Sequence, residues 1–426
     1  MIQLIRGFKD ILPGEVELWQ HIEKTARSLF EDFGFKEIRI PILEHAELFA
    51  RSIGEDTDIV EKEMYTFPDK KRGLITLRPE ATASVVRAYI QHTLYAKDPI
   101  QKFYTIGPMF RRERPQKGRY RQFYQINAEV FGIDSPLIDA QLIFMIMTFF
   151  SRLSVTGLEA HINSLGCHKC RRNFKDALSV FLSAASEKLC TDCKRRSLRN
   201  PLRVLDCKVP SCKEAMVEAP SILDYLCPEC TMHFNAVKDA LKKFNIPFVI
   251  DRLLVRGLDY YTRTTFEIQT GSLGAQNAVA GGGRYDTLVK TLGGPDQPAI
   301  GFAIGFDRLV EITDLKSADF VRKPDIFLAA LGEKSMSIAF EWFCAFGVDG
   351  IKAELDLNGR SLKSQMKRAD KLGAGYVLIV GKKELEEGSV ILRNMTTKEQ
   401  TAIPIDNIVE KIKKIIDHEL HGYIKR

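Results

Sequence analysis

The stretch from Phe103 to Glu129 limits the possible folds more than any other part of this chain. Strand-like runs at Gln101 to Pro108 and Phe123 to Phe131 bracket a turn containing Pro115 and Gly118, and between 111 and 122 lie six basic residues and one acid. The segment reads as a hairpin whose bend is cationic. Arginines so placed can grip a polyphosphate, because the guanidinium fork matches phosphate oxygens in two-point geometry. By itself the stretch is equally a solvated basic hairpin.

Strands dominate the surroundings of this hairpin. Further strands are expected at Lys36 to Ile42, Leu74 to Leu77, Phe248 to Val255 and Thr264 to Thr270. Helices are expected at Val16 to Phe33, Thr82 to Tyr95, Ser135 to Leu153 and Phe302 to Ile312. Helices interspersed among such strands favour an α+β architecture, an antiparallel sheet flanked by helices, over a doubly wound sheet. From Asp325 the pattern changes. Short apolar strands at Ile326 to Leu331, Gly350 to Leu355 and Tyr376 to Val380 alternate with helical stretches at Ser335 to Phe346 and Ser361 to Leu372. That alternation marks a small α/β domain with a largely parallel core sheet. A length of 426 residues predicts several domains. The breaks place a first body over 1–166, a cysteine-rich basic insertion over 167–250, the return of the first body over 251–322 and a C-terminal domain over 323–426.

The opening residues lack the apolar core and cleavage site of a signal peptide, so a cytoplasmic protein is expected. The most lipid-like run, Leu142 to Phe150, is far shorter than the ~20 residues a bilayer requires and reads as a buried helix. Of the net charge of +7, residues 167–250 hold +6, with 15 Lys and Arg against 9 Asp and Glu. A charge so localised points to a polyanionic partner or to a solvated basic face. The same segment carries Cys167 and Cys170, Cys190 and Cys193, Cys207 and Cys212, and Cys227 and Cys230. Two such pairs make a tetrahedral zinc site, so this spacing allows one or two sites, and the alternative is a set of buried or redox-active thiols. His161, His168 and His233 lie near the cysteines but are assigned no role. Cys344, on an apolar helical stretch, is expected to be packing.

Four later segments add to the hairpin. Leu77 to Thr82 puts Glu80 and Thr82 at a strand-to-helix junction, and Leu254 to Tyr261 presents Arg256 and paired tyrosines beside a glycine. Gly281 to Asp286 supplies backbone without side chains, and Ala299 to Arg308 runs from a strand into a helix bearing an arginine. Together these segments resemble the histidyl-tRNA synthetase family of class II aminoacyl-tRNA synthetases over nearly the whole chain. Arg111 to Glu129 is similar to the class II motif 2 in its histidine-specific form, and Arg256 to Tyr261 to a signature of histidine enzymes. Gly301 to Arg308 is similar to motif 3, and Val16 to Pro41 to motif 1, the dimer interface of the family.

The resemblance implies a class II catalytic sheet, an inserted domain and a C-terminal anticodon-binding domain. It implies that Glu80, Thr82 and Gln125 hold the amino and carboxylate groups of histidine, with Glu129, Tyr261 and Tyr285 around the imidazole. Arg111 would bind the α-phosphate of ATP, Arg119 and Arg308 the γ-phosphate, and Phe123 would stack on adenine. Arg256 would face Arg111 across the α-phosphate, and Arg114 and Gln116 would meet the tRNA. Implied partners are ATP with Mg²⁺, L-histidine, histidine tRNA and a second copy of the chain, with no membrane. At least one structural zinc is expected among the eight cysteines of the insertion, although many members carry such an insertion without cysteines. Arg195, Arg196 and Arg199 are expected to form a surface along the tRNA acceptor stem. The rival reading is a catalytically silent paralogue that senses histidine and regulates histidine biosynthesis. A third is a zinc-stabilised RNA-binding protein without catalysis.

Overall fold

A computed structural model describes residues 1–70, 73–116, 118–271 and 277–423, with side chains described through 418. Lys117 of the cationic bend lies outside them. The chain forms two compact units, Met1–Phe320 and Val321–Arg426.

In the first unit, helix α1 (Val16–Asp32) buries Leu18, Trp19, Ile22, Ala26, Leu29 and Phe30 at helical spacing. It gives way to Gly34, whose φ of +80° lies in the left-handed region that suits a glycine after a helix. Strand β1 (Lys36–Glu37) follows, then a small antiparallel sheet of β2 (Leu43–His45), β3 (Tyr65–Asp69) and β4 (Gly73–Leu77), with α2 (Ala46–Ile53) between the first two. Helix α3 (Thr82–Gln91) precedes the hairpin strands β5 (Gln101–Phe110) and β6 (Gln122–Phe131), and α4 (Pro136–Arg152) leads to β7 (Leu158–Ser164). The insertion contains α5 (His168–Ala184), α6 (Thr191–Arg199), α7 (Pro210–Met216) and α8 (Pro228–Lys243). The chain returns through β8 (Phe248–Ile250), β9 (Thr262–Thr270), β10 (Ala278–Arg284), α9 (Leu288–Thr291), β11 (Ala299–Gly305) and α10 (Phe306–Ile312).

Eight of these strands form one sheet in the order β1-β5-β6-β11-β10-β9-β7-β8, parallel only at its two edges. Ile126, Ala128 and Val130 of β6, Ile300, Phe302 and Ile304 of β11, and Phe266 and Ile268 of β9 point to one face and join α1, α4 and α8 in a common core. The Leu142 to Phe150 run lies inside α4, with Leu142, Ile143, Met145, Ile146, Phe149 and Phe150 fully buried. No helix among the described residues is long and apolar enough to cross a membrane.

The second unit carries a five-stranded sheet of β12 (Ile326–Ala330), β13 (Ala353–Leu355), β14 (Tyr376–Val380), β15 (Ser389–Asn394) and β16 (Gln400–Pro404). Its helices are α11 (Glu333–Val348), α12 (Leu362–Leu372), α13 (Lys382–Glu386) and α14 (Ile408–Tyr423). The βαβ core is parallel as expected, but β15 and β16 extend it as an antiparallel hairpin that the sequence reading did not anticipate. Asn394 turns that hairpin by accepting the N–H groups of Thr396 and Thr397 at 2.8 and 3.0 Å.

Several expected elements are corrected. The strand over Lys36 to Ile42 ends at Glu37, because the guanidinium of Arg78 takes the carbonyls of Ile40 and Pro41 at 2.8 and 3.3 Å and removes them from any ladder. The strand over Phe248 to Val255 ends at Ile250, where Asp251 caps the N–H of Leu253 at 3.1 Å and turns the chain. The helix expected from Phe302 starts at Phe306, since residues 299–305 complete the central sheet. Cys344 is exposed and not packed, as α11 buries Ser335, Ala339 and Phe346 on its other side.

One polar cluster ties the layers together. Arg284, fully buried at the end of β10, donates to Asp139 of α4 at 2.6 Å, to Asp286 at 3.1 Å and to the carbonyl of Ile133 at 2.6 Å. His233 of α8 meets the other Asp139 oxygen at 2.8 Å. Arg284→Met should therefore lower unfolding free energy by roughly 3–5 kcal/mol, because Asp139 would keep a buried charge without its cation. Denaturant titration of the two proteins checks this, and a loss below about 1 kcal/mol would contradict it.

Candidate active site

The sheet face opposite the apolar core carries the chemistry. Along β6 the residues that alternate with Ile126, Ala128 and Val130 are Gln125, Asn127 and Glu129. Register places Glu129 beside Gly301, Asn127 beside Ala303 and Gln125 beside Gly305. One strand further, Gly281 stands beside both Ala303 and Glu267. The middle of this face is thus stripped to glycine and alanine. At Gly301 a Cβ would collide with the Glu129 carboxylate, and at Gly281 it would come within 2.5 Å of the Arg256 guanidinium.

An inner pocket is built over Glu129. The hydroxyl of Thr82 donates to one carboxylate oxygen at 2.6 Å, and that of Tyr285 donates to the other at 2.5 Å. Glu80 turns its two oxygens to the N–H groups of Thr82 and Ala83, at 2.7 and 2.9 Å, and so caps α3. Tyr261 and Tyr260 are buried alongside. Burial pushes Glu129 up to about 8, against the hydrogen bonds of Thr82 and Tyr285. Burial also raises Glu80 despite its N–H donors, and burial next to Glu129 holds Tyr285 well above the usual phenol range. The buried Oε1 of Gln125 and Oδ1 of Asn127 have no hydrogen-bond partner among the described residues.

An outer cleft with a cavity volume of about 250 Å³ adjoins this pocket and opens to solvent. Arg111, Arg119, Phe123, Gln125, Arg256 and Arg308 all line it. Arg111 lies over the Phe123 ring, 5.3 Å from its centroid, and donates to the carbonyl of Pro79 at 2.9 Å. Arg308 is held below its ordinary value by burial and then by the nearby cation of Arg119. Two guanidiniums brought together in this way favour an anion between them. Arg256 pairs with Glu267 and lies 5.8 Å from the Tyr261 ring centroid. Burial disfavours its charge, but Glu267 and Tyr261 more than compensate and raise its value. Arg114 and Gln116 are exposed outside the cleft, where Gln116 exchanges backbone hydrogen bonds with Arg119.

Sequence reasoning missed two acids. Glu267 fixes Arg256, and Glu113 pairs with Arg119 and lies 3.7 Å from Arg111. Glu113 was legible as the single acid of the bend, whereas Glu267 is one polar residue of a strand and becomes visible only through register.

The eight insertion cysteines converge as two tetrads, Cys167, Cys170, Cys227 and Cys230, and Cys190, Cys193, Cys207 and Cys212, with all sulfurs of each within 4.8 Å of one another. Arg195, Arg196 and Arg199, expected along the tRNA acceptor stem, pair with acids of the same chain, while Arg195 and Arg199 stay exposed. They meet Glu61 at 3.5 Å, Asp58 at 2.5 Å and Asp56 at 3.4 Å, in the segment between α2 and β3. Acids supplied by the catalytic body neutralise them.

An antiparallel sheet with an arginine hairpin and a strand-to-helix arginine flanking one cleft defines a class II aminoacyl-tRNA synthetase. A family model described as histidyl-tRNA synthetase matches residues 7–309, and one described as an anticodon binding domain matches residues 325–415. A histidine–tRNA ligase of Desulfatibacillum aliphaticivorans is 61% identical over 98% of this chain and 100% of its own. One of Desulforapulum autotrophicum is 61% identical over 98% and 99%. The crystal structure of apo S. aureus histidyl-tRNA synthetase superposes with a TM-score of 0.82 at 36% identity, covering 97% of this chain and 100% of that one. The chain belongs to the histidyl-tRNA synthetase family.

The pocket predicts a pH signature. Since Glu129 lies above its ordinary 4.5 when folded, the folded state keeps a proton that the unfolded state releases between about pH 4.5 and 8. Stability should fall as pH rises through that window and level off above it. Glu129→Gln should flatten the fall in denaturant midpoints measured from about pH 5 to 8. Equal slopes in both proteins would place the titration elsewhere.

Proposed function

We propose that this chain joins histidine to histidine tRNA in two steps on the face of the central sheet. The observation that carries the reading is the union of a buried carboxylate and phenol pocket with an arginine cleft, with Gln125 and Arg256 at the boundary. The imidazole enters over Glu129, Tyr261 and Tyr285, which supply an acceptor and donors for its two nitrogens. The unpartnered Gln125 oxygen takes the α-amino group, and Glu80 and Thr82 complete the cradle at the start of α3. The histidine carboxylate then points to the cleft.

ATP lies with adenine against Phe123, its α-phosphate between Arg111 and Arg256, and its γ-phosphate at Arg119 and Arg308. The carboxylate attacks the α-phosphorus in line, pyrophosphate leaves, and the terminal ribose of tRNA accepts the acyl group from the adenylate. No side-chain nucleophile takes part, so positioning and fixed cations supply most of the rate. Glu113 and Glu267 line the cleft and would hold Mg²⁺ through hard oxygen donors, where it would supply neutralisation of polyphosphate charge.

The rival silent regulator is not favoured, since the relatives that share 61% of residues are ligases and Arg111, Arg256 and Arg308 are all in the cleft. Residues 323–426 bind the anticodon arm. Structural zinc sits among the eight cysteines of the insertion, and the chain works in the cytoplasm. It works as a homodimer, a reading supported by exposed Ile42, Leu43, Phe67 and Leu74 on and beside the small sheet.

Histidine-dependent ATP–pyrophosphate exchange tests the core of this reading, and its absence in the intact protein would refute it. Arg256→His should cut exchange by about 10²–10³-fold and spare histidine binding, because a fixed cation at the developing phosphate charge is lost. Near-normal exchange would remove Arg256 from the mechanism. Arg114→Ala or Gln116→Ala should depress tRNA charging at least about 10-fold, with exchange changed less than about 2-fold, as expected of side chains outside the cleft that touch tRNA alone. Equal losses in both half-reactions would assign the bend to ATP.

A further inference from the structure

We propose that the insertion binds two zinc ions, and that the one held by Cys190, Cys193, Cys207 and Cys212 clamps the loop carrying Arg256 and Tyr261 in place. The second ion, held by Cys167, Cys170, Cys227 and Cys230, closes the base of the insertion. The clamp rests on the catalytic role proposed for Arg256, whereas the two metal sites do not.

The pairing is nested, with the inner tetrad lying between the two halves of the outer one. Sulfur separations of 3.6 Å for Cys167 and Cys170, and of 4.0 Å for Cys167 and Cys227 and for Cys190 and Cys207, are far beyond the ~2.05 Å of a disulfide. They match the ~3.8 Å edge of a tetrahedron whose metal–sulfur bonds are about 2.3 Å. In three of the four pairs the first cysteine precedes a helix and the second lies in its first turn, where helix N–H groups favour thiolate. Two amides cross between pairs: Cys190 N–H donates to the Cys212 sulfur and Cys227 N–H to the Cys170 sulfur, both at 3.1 Å. Binding breaks four S–H bonds, releases four protons and forms four Zn–S bonds without redox change, leaving a charge of −2 on each site. Two such sites offset most of the +6 excess of residues 167–250.

The inner segment needs a crosslink to hold its shape. Helix α6 has nine residues and buries only Cys193, and it is followed by a four-residue 3-10 turn, Pro201–Val204, and the seven-residue α7. Helices so short are marginal on their own. Yet this segment makes specific contacts with the catalytic loop. Arg203 donates to the carbonyl of Gly257 at 2.5 Å and lies 3.3 Å from Asp259, and Asn200 donates to Asp259 at 2.9 Å. Gly257 and Asp259 lie between Arg256 and Tyr261 in sequence, and the Asp259 N–H is tied to the carbonyl of Ile53 at 3.1 Å. Arg195, Arg196 and Arg199 pin the same segment to residues 56–61. Arg203 and Asn200 are therefore positioning residues, through which the metal holds Arg256.

The test uses the full chain purified without chelator. Elemental analysis should give two zinc ions per chain, with X-ray absorption showing four sulfurs at about 2.3 Å. Cys207→Ser should keep one zinc, speed hydrogen exchange of residues 254–261 by at least about 10-fold, and lower kcat for histidine-dependent exchange by a similar factor with the ATP KM within about 2-fold. Arg203→Met should keep both ions and reproduce the kcat loss, and the double variant should lose no more than Cys207→Ser alone, the non-additivity of one pathway. Arg203→Lys should recover part of the rate. A metal-free or disulfide-bonded protein would overturn the metal sites while leaving the ligase reading intact, and a zinc-loaded protein without exchange activity would do the reverse. Two zinc ions with unchanged kcat and unchanged protection of 254–261 in both single variants would overturn the clamp. Should Cys207→Ser fail to fold, Arg203→Met decides the clamp by the same two readouts.

Discussion

A carboxylate buried at the centre of a β-sheet is the constraint around which the rest of the structure is arranged. Glu129 has lost its water, and burial pushes it up to about 8. Such a group is stable only if every direction around it is spoken for. Thr82 and Tyr285 occupy its two oxygens, and the strand beside it must offer no side chain at all, which is what Gly301 provides. Gly301 of β11, Thr82 at the start of α3 and Tyr285 after β10 all answer that one requirement. A ligand able to give and take a proton is well matched to it, since it can exchange hydrogen bonds with Glu129 whichever form the carboxyl adopts.

The outer cleft obeys the opposite logic. Arg111, Arg119, Arg256 and Arg308 line one hollow, and such like charges repel in the absence of an anion. Glu113 and Glu267 moderate this, the first pairing with Arg119 of the same bend and the second with Arg256 of the loop before β9. Paired guanidiniums are held in defined positions before a polyphosphate arrives, so less reorganisation is left to the reaction itself.

The features legible in sequence were those written in local pattern. The hairpin strands, α1, the buried run in α4 and the βαβ start of the second unit follow from periodicity and turn residues. What escaped was set by partners distant in sequence. The strand after Lys36 stops because Arg78, some forty residues on, takes its carbonyls, and no window around Ile40 contains that fact. Glu267 acquires meaning only when register sets it beside Gly281. The residues around the pocket were reached through resemblance more than through spacing, because Glu80, Glu129, Tyr261 and Tyr285 are brought together by topology. Even there Glu80 turned out to cap α3 with both oxygens, a role that its place before a helix permitted but did not require.

Local charge alone did not show which side chains the arginines of the insertion would meet. Six net positive charges in residues 167–250 suggested an outward face for a polyanion, yet the three arginines following Cys193 turn to Glu61, Asp58 and Asp56 of the same chain. The reason lies in the sheet. A face cleared of side chains for ligands cannot also hold the groups that act above it, so Arg256 over Gly281 has little beneath it to fix its position. Its support must come from Glu267 on the adjacent strand and from the loop that carries it, and that loop is held in turn by Arg203 and Asn200 of the insertion. Four of the fifteen cations of residues 167–250, Arg195, Arg196, Arg199 and Arg203, are thus used to attach that segment to the rest of the unit.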